Sequence, residues 1–349
     1  MAASVVGLDI GHGVLRAAEV AGGTTAKPRL MKYHEVTFPS DATREGEVVE
    51  QDVLVRALKQ LWAAGKFTTR DVVLGVGNQR VLTRDLSVPK VPLDRIKEAL
   101  PFQVQDLLPI PAAEAVLDFY PIAEAQGESG PVIQGLLVAA AKSAVLANVR
   151  AVQAAGLTPI DVDLSPFALT RALLSARPGA GSVALVHVGA TTTCVVIATH
   201  GVPQFVRIIP SGGEEVTTAL VTGLGMSPSD AERTKASFGL IRESYPPESI
   251  AAAETVIRVT DDLLGSIRNT LAFYRNTRPN DPLTSLVLSG GGARLRGFPA
   301  AVEEVTRLQV ELGDPTSRFA LGRGIDVVSL PSVLPAMGVA LGLTLRSAS

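Results

Sequence analysis

A strand, a glycine turn and a second strand occur twice in this chain, about half its length apart, and this repetition constrains the fold more than any other feature. Residues 5–16 (VVGLDIGHGVLR) form an apolar run that is broken by Gly11 and Gly13 and resumes at once as another apolar run. Glycines let the backbone turn with positive φ and leave its N–H groups bare, so such a hairpin can cradle an anion. Asp9 ends the first strand, and Arg16 can bring a cation back along the second. Glycines that serve the turn alone would satisfy the same residues. At 183–198 (VALVHVGATTTCVVIA) the device recurs, with Gly189 aligned to Gly11 and His187 to Asp9. A third element at 285–296 (SLVLSGGGARLR) again follows an apolar strand, and Gly290, Gly291 and Gly292 permit a very close backbone approach to a flat or charged ligand. Two hairpins and a glycine triplet imply a nucleotide cleft.

The repeat and a length of 349 residues favour two domains. A hydrophobic content of 46% is ample for burial, and a net charge of −2 gives no broad basic face, which argues against nucleic acid and leaves any membrane contact indirect. The single cysteine, Cys194, cannot form an internal disulfide, in keeping with a reducing cytoplasm. The N-terminus lacks a basic segment followed by a long apolar core, and no run offers about 20 clean apolar residues, so a soluble protein is expected.

Along the chain, residues 32–38 alternate as a third strand, and Val53, Leu54, Ala57, Leu58 and Leu61 mark a helix over 50–64. Short strands at 71–77 and 81–88 make a ribonuclease-H-like first domain plausible. From 88 to 164 the texture changes. Prolines flank a helix at 93–108, a loop covers 124–130, and a strand at 132–139 precedes a helix at 143–155, which together suggest an inserted subdomain. The expected division is 1–87 with 165–180 as the first domain, 88–164 as the insertion, and 181–349 as the second, entered after a linker at 177–181. In the second half Gly212 and Gly213 precede a helix at 214–223 whose free N–H groups would favour a phosphate, and a long amphipathic helix covers 252–276.

These motifs resemble those of the actin-like ATPase superfamily, α/β proteins of two ribonuclease-H-like domains. Residues 9–16 resemble the first phosphate loop, 183–198 the second and 288–294 the adenosine motif, all in the expected order. Residues 210–217 resemble the Gly-Gly turn before a helix, and 231–239 the Glu-Lys helix on the nucleotide side. The chain is most similar to the PilM family of type IV pilus assembly proteins, a resemblance that includes VPKVP at 88–92, LPIP at 108–111 and MGVALG at 337–342. It implies an actin-like fold with an inserted subdomain of the FtsA and PilM type, and a cytoplasmic scaffold at the inner face of the cytoplasmic membrane that binds ATP and magnesium. It also implies docking of the N-terminal cytoplasmic tail of PilN, with other platform and motor proteins of the pilus as further partners.

The resemblance carries roles onto particular residues. Asp9 would hold magnesium through water, as hard oxygen ligands do. Gly11, His12, Gly13, Val14 and Arg16 would meet the phosphates from one side, and Gly189, Ala190, Thr191, Thr192, Gly212 and Gly213 from the other. Glu232, Lys235, Gly290, Gly291, Gly292 and Arg294 would meet the nucleoside. Glu232 and Lys235, three apart on one helix, equally suit a surface ion pair. His187 stands where active members of the superfamily carry aspartate, and a neutral imidazole cannot supply the charge that hydrated magnesium prefers. Binding is therefore expected, with at most slow hydrolysis. A His12–His187 metal pair would be only two ligands on different loops. A small-molecule kinase and an FtsA-like membrane filament are the alternative functions; His187 opposes the first, and a sequence ending GLTLRSAS without a basic amphipathic tail opposes the second.

Overall fold

Alternating apolar residues make the first three strands, β1 (Ser4–Ile10), β2 (Val14–Ala21) and β3 (Arg29–Thr37), an antiparallel meander. The structure is a computed structural model that describes residues 4–345 except 45, 129, 176–180, 241–245 and 326–333. The expected linker at 177–180 lies outside the described residues. A small hairpin of β4 (Thr43–Arg44) and β5 (Glu47–Val48) leads into α1 (Gln51–Gly65), which buries Leu54, Ala57, Leu58 and Leu61 along one stripe. Strand β6 (Asp71–Val76) then runs parallel to β1.

Next come β7 (Val81–Pro89), α2 (Leu93–Gln103), β8 (Ala115–Gly127) and β9 (Gly130–Ala141), whose three strands form a separate sheet in the order β7-β9-β8. The chain returns through α3 (Lys142–Ala154) to β10 (Thr158–Leu164), which pairs parallel with β6, and then enters α4 (Ser165–Leu173). The second unit repeats the first. Its meander is β11 (Ser182–Val188), β12 (Thr193–Thr199) and β13 (Val202–Ile209). Helices α5 (Gly213–Leu224), α6 (Pro228–Phe238) and α7 (Ile250–Thr277) follow. Strand β14 (Leu283–Ser289) is parallel to β11, and after α8 (Phe298–Thr306) β15 (Val310–Leu312) is parallel to β14. The chain then places β16 (Ala320–Leu321) beside β3 and ends its described part in α9 (Gly338–Leu343). The two main sheets read β10-β6-β1-β2-β3-β16 and β13-β12-β11-β14-β15, so five strands of one match five of the other.

Four expectations are corrected by the structure. The insertion does not run over 88–164: its sheet begins at Val81, where β7 pairs with β9, and ends at Ala141. Helix α3 and strand β10 belong to the first unit, because β10 extends its sheet and Ala151, Val152 and Leu157 enter the core around α1. Nor does the second unit run from 181 to 349, since β16 pairs with β3 and α9 packs on α4 and β1. The small residues of GVALGL allow this, and the helices meet so tightly that a Cβ on Gly342 would lie 1.9 Å from the Ala168 carbonyl oxygen. Finally, β8 fills a region whose later part was expected as a loop, and the helix expected at 93–108 stops at Gln103. Pro121 disguises β8; it is tolerated because β8 is an edge strand whose register shifts between Pro121 and Ala123.

One core joins the units: Ala18, Val73 and Leu136 share it with Leu185, Val196 and Val287, with α4 and α9 between them. The insertion also touches the second unit directly. The Thr83 hydroxyl donates to the Val206 carbonyl at 2.6 Å, and Arg278 pairs with Asp85 at 2.9 Å while its guanidinium lies over the Tyr274 ring.

Candidate functional site: a cleft between the two units

In a parallel sheet ligands collect beyond the carboxyl ends of the strands, and here those ends face each other. Strands β1 and β6 of one unit and β11 and β14 of the other end on a cleft of about 620 Å³. Asp9 and His187 lie near the ends of the two equivalent strands β1 and β11, as the repeat predicts. The two hairpins close by the same hydrogen bond, Gly11 N–H to the Val14 carbonyl and Gly189 N–H to the Thr192 carbonyl, each 2.9 Å. The cleft is lined by Asp9, Gly11, His12, Val14 and Arg16 on one side and by His187, Gly189, Ala190, Thr191, Thr192, Gly212 and Gly213 on the other. Glu232, Lys235, Gly291, Gly292 and Arg294 complete that wall.

Gly13 and Gly290, expected as ligand contacts, are not among the residues that line it, and each has a backbone task in the fold. Gly13 makes the turn itself at φ 69° and accepts a hydrogen bond from the Phe38 N–H, and Gly290 gives its N–H to the Pro335 carbonyl. The start of α5 corrects an expectation. Its first N–H groups are not free for a phosphate, since Gly213 donates to Gly189, Glu214 to Ala190 and Glu215 to Gly212. Gly212 serves a close approach instead: a Cβ there would sit 2.4 Å from the Ala190 carbonyl oxygen. Helix α5 thus braces the second loop from behind.

Charges in the cleft are mostly paired. Arg16, opposite Asp9 in the β1–β2 register, forms an ion pair with Glu35 on β3 at 3.1 Å. Its charge still reaches Asp9 and His187. Burial raises the Asp9 carboxyl above its ordinary range and Arg16 partly offsets this. Burial first, and Arg16 second, push the His187 imidazole down to about 4. Glu232 and Lys235 form the ion pair their spacing suggests, at 2.6 Å, and Lys235 also donates to the Gly213 carbonyl and the Thr217 hydroxyl, so the pair is tied to α5 while facing the cleft. Among the described residues no group of three or more His, Cys, Asp or Glu side chains is placed to hold a metal, which leaves the His12–His187 pair without a third ligand.

The sequence reading missed Gly75, Gly77, Asn78, Asn148 and Ser165, all on the first unit's wall. The repeat held the signal for the first three: β6 occupies in one sheet the place β14 holds in the other, so its glycine-rich end (Gly75-Val-Gly-Asn78) answers the triplet after β14. Asn148 and Ser165 come from α3 and the start of α4, and only the three-dimensional packing brings them to the cleft.

Twin units of this topology, closed around a cleft by paired glycine hairpins, define a protein with the actin-like ATPase fold, carrying an inserted three-stranded subdomain. The chain matches the family described as Type IV pilus assembly protein PilM over residues 7–348 and belongs to it. A solved PilM–PilN type IV pilus biogenesis complex superposes with a TM-score of 0.86 at 28% identity, covering 99% of this chain and 98% of that one. The cell division protein FtsA of Pseudomonas aeruginosa is 25% identical over 377 residues, 96% of this chain and 88% of that protein. MreB5 of Spiroplasma citri bound to ADP shares the fold at 11% identity, with a TM-score of 0.51 and coverage of 97% and 94%.

Proposed function

We propose that this chain is an ATP-binding scaffold of type IV pilus assembly that holds magnesium and ATP across the cleft and docks the N-terminal cytoplasmic tail of a PilN-like membrane protein. The observation that carries the nucleotide part is the convergence of both identically closed glycine hairpins on one cleft, with Gly291 and Gly292 on the second unit's wall. The donor set fits magnesium, which commonly takes one or two carboxylates and completes its shell with phosphate oxygens and water. Asp9 supplies one carboxylate, and the ion when bound supplies charge neutralisation at the phosphates. Arg16 faces the same phosphates, while Glu232, Lys235 and Arg294 lie on the nucleoside side.

The partner rests on the family and on the PilM–PilN relative. The inserted subdomain is the face we assign to it, because it exposes Val91, Leu93, Phe102 and Val116, with Phe102 80% exposed. That subdomain also touches the second unit through Thr83 and Asp85, so nucleotide held across the cleft would bias its position and hence its affinity for the tail. Through such partners the chain would sit at the inner face of the cytoplasmic membrane and meet other pilus platform and motor proteins. Among the described residues no helix is long and apolar enough to cross a membrane.

Two measurements test this. Calorimetry should detect ATP binding that magnesium strengthens. Titration with a peptide of the PilN N-terminal tail should saturate, and Leu93→Asp with Phe102→Asp should weaken it about tenfold or more, as loss of apolar anchors does, without changing ATP affinity. Unchanged peptide affinity in that folded variant would place the groove elsewhere. Deleting 88–164 is not a usable test, since it removes β10 from the first sheet. The FtsA relationship favours one other reading, a membrane-associated filament protein. Co-sedimentation of the protein alone with liposomes would support that reading, whereas a scaffold that depends on its partners stays in the supernatant.

A further inference from the structure

The first unit's wall of the cleft contains a side chain that the functions assigned so far do not use. Asn148 on α3 is only 5% exposed, lines the cleft, and its Oδ1 has no hydrogen-bond partner among the described residues. Buried amide oxygens are rarely left unpaired, so a donor belongs at this place. Three polar side chains that share the cleft are engaged elsewhere. The Asn78 side chain is engaged with the Arg80 N–H and, at 3.4 Å, the Gly46 carbonyl; Lys235 is tied to α5 and Glu232, and Arg16 is paired with Glu35.

The location narrows the donor's chemistry. The β1–β6 and β6–β10 registers, Leu8 to Leu74 and Val76 to Leu164, bring the strand ends level, so Asp9, Gly77 and Ser165 share one edge of the cleft. Asn148 lines this same side, on a helix that packs against β5 beside Gly46 and Asn78. This is the phosphate end in the nucleotide reading above, on which the inference rests. A triphosphate tail offers acceptors only, so it cannot pair this oxygen directly, and water is the donor left. We propose that Asn148 is a positioning residue that accepts a hydrogen bond from water at the phosphate end of the cleft, either a water of hydrated magnesium or a free one.

The test is ATP affinity of the full chain, by calorimetry, with magnesium and with EDTA, for the parent, Asn148→Leu and Asn148→Asp. Asn148→Leu removes the acceptor at similar volume and is expected to weaken binding about tenfold, as loss of a hydrogen bond to a charged assembly does. Weakening confined to magnesium assigns the water to the ion; equal weakening in EDTA assigns a free water. Asn148→Asp keeps an acceptor in place and is expected to hold magnesium-supported affinity at or above that of the parent. Parent-like affinity of Asn148→Leu in both conditions overturns the inference, and so does an Asn148→Asp protein as weak as Asn148→Leu, which would assign the effect to packing. If Asn148→Leu fails to fold, the Asn148→Asp result decides alone. A parent that binds no ATP in either condition overturns the nucleotide reading and the inference together.

Discussion

Gly291→Val is expected to leave the melting curve of the protein unchanged and to lower its ATP affinity by at least about a hundredfold, or about 2.7 kcal/mol. The two parts of that result have separate causes in the glycine triplet. At Gly291 an added Cβ would meet nothing within 4 Å, so the fold tolerates a side chain there. The same open space is the cleft wall, and a branched side chain would fill the volume that the proposed function gives to the nucleoside. Gly290 is the opposite case. Its φ is 91°, and a Cβ would lie 2.3 Å from the Val188 carbonyl oxygen. Gly290→Ala therefore combines backbone strain with overpacking and is expected to cost roughly 2–4 kcal/mol of stability. Thermal denaturation and calorimetry of the two variants separate the effects. Parent-like ATP affinity for Gly291→Val would reduce the triplet to a turn.

The triplet also marks how far the sequence could be read. Its three residues are alike on paper, and one faces the cleft openly, one packs against Val188 while lining the wall, and one turns the chain behind it. Position in sequence gives the strand and the turn; which Cβ vector points at the ligand depends on where β14 lies against β11. The paired hairpins were legible because a glycine turn between two apolar strands is a local device, and its repetition fixed the two-unit plan. The boundaries were less so. Strand β10 and helix α9 belong to the first unit only through contacts with β6, α4 and β1 that are distant in sequence. The free helix terminus expected at α5 also failed for a non-local reason, since carbonyls of the second loop take its N–H groups. Asn148 carries no local signal at all, being one polar residue in an otherwise ordinary amphipathic helix.

Substituting His187 by aspartate is expected to raise ATP turnover by about 10²–10⁴-fold from a very slow parent rate, the range that one positioned acid–base group contributes. The structure sharpens this expectation through the state of the imidazole. Held down to about 4 by burial and by Arg16, His187 is neutral throughout pH 6–8. Its Nδ1 lies 3.4 Å from the Ser289 hydroxyl, which donates to the Pro335 carbonyl at 3.4 Å, so the hydroxyl accepts from Nδ1–H and Nε2 is left as the acceptor. A neutral acceptor of such low basicity neither attracts hydrated magnesium nor takes a proton from water effectively. The parent rate should accordingly show no histidine step between pH 6 and 8. A base with the ordinary imidazole value near 6.5 would instead give a rate rising across pH 6–7. Aspartate at 187 would place a second carboxylate across the cleft from Asp9 with Arg16 near both positions, restoring charge where water and ion are oriented. Single-turnover hydrolysis by both proteins across this pH range decides between the two. Robust parent activity that rises through pH 6–7 and falls in His187→Asp would make the imidazole a working base and overturn the reading of this protein as a slow, nucleotide-clamped scaffold.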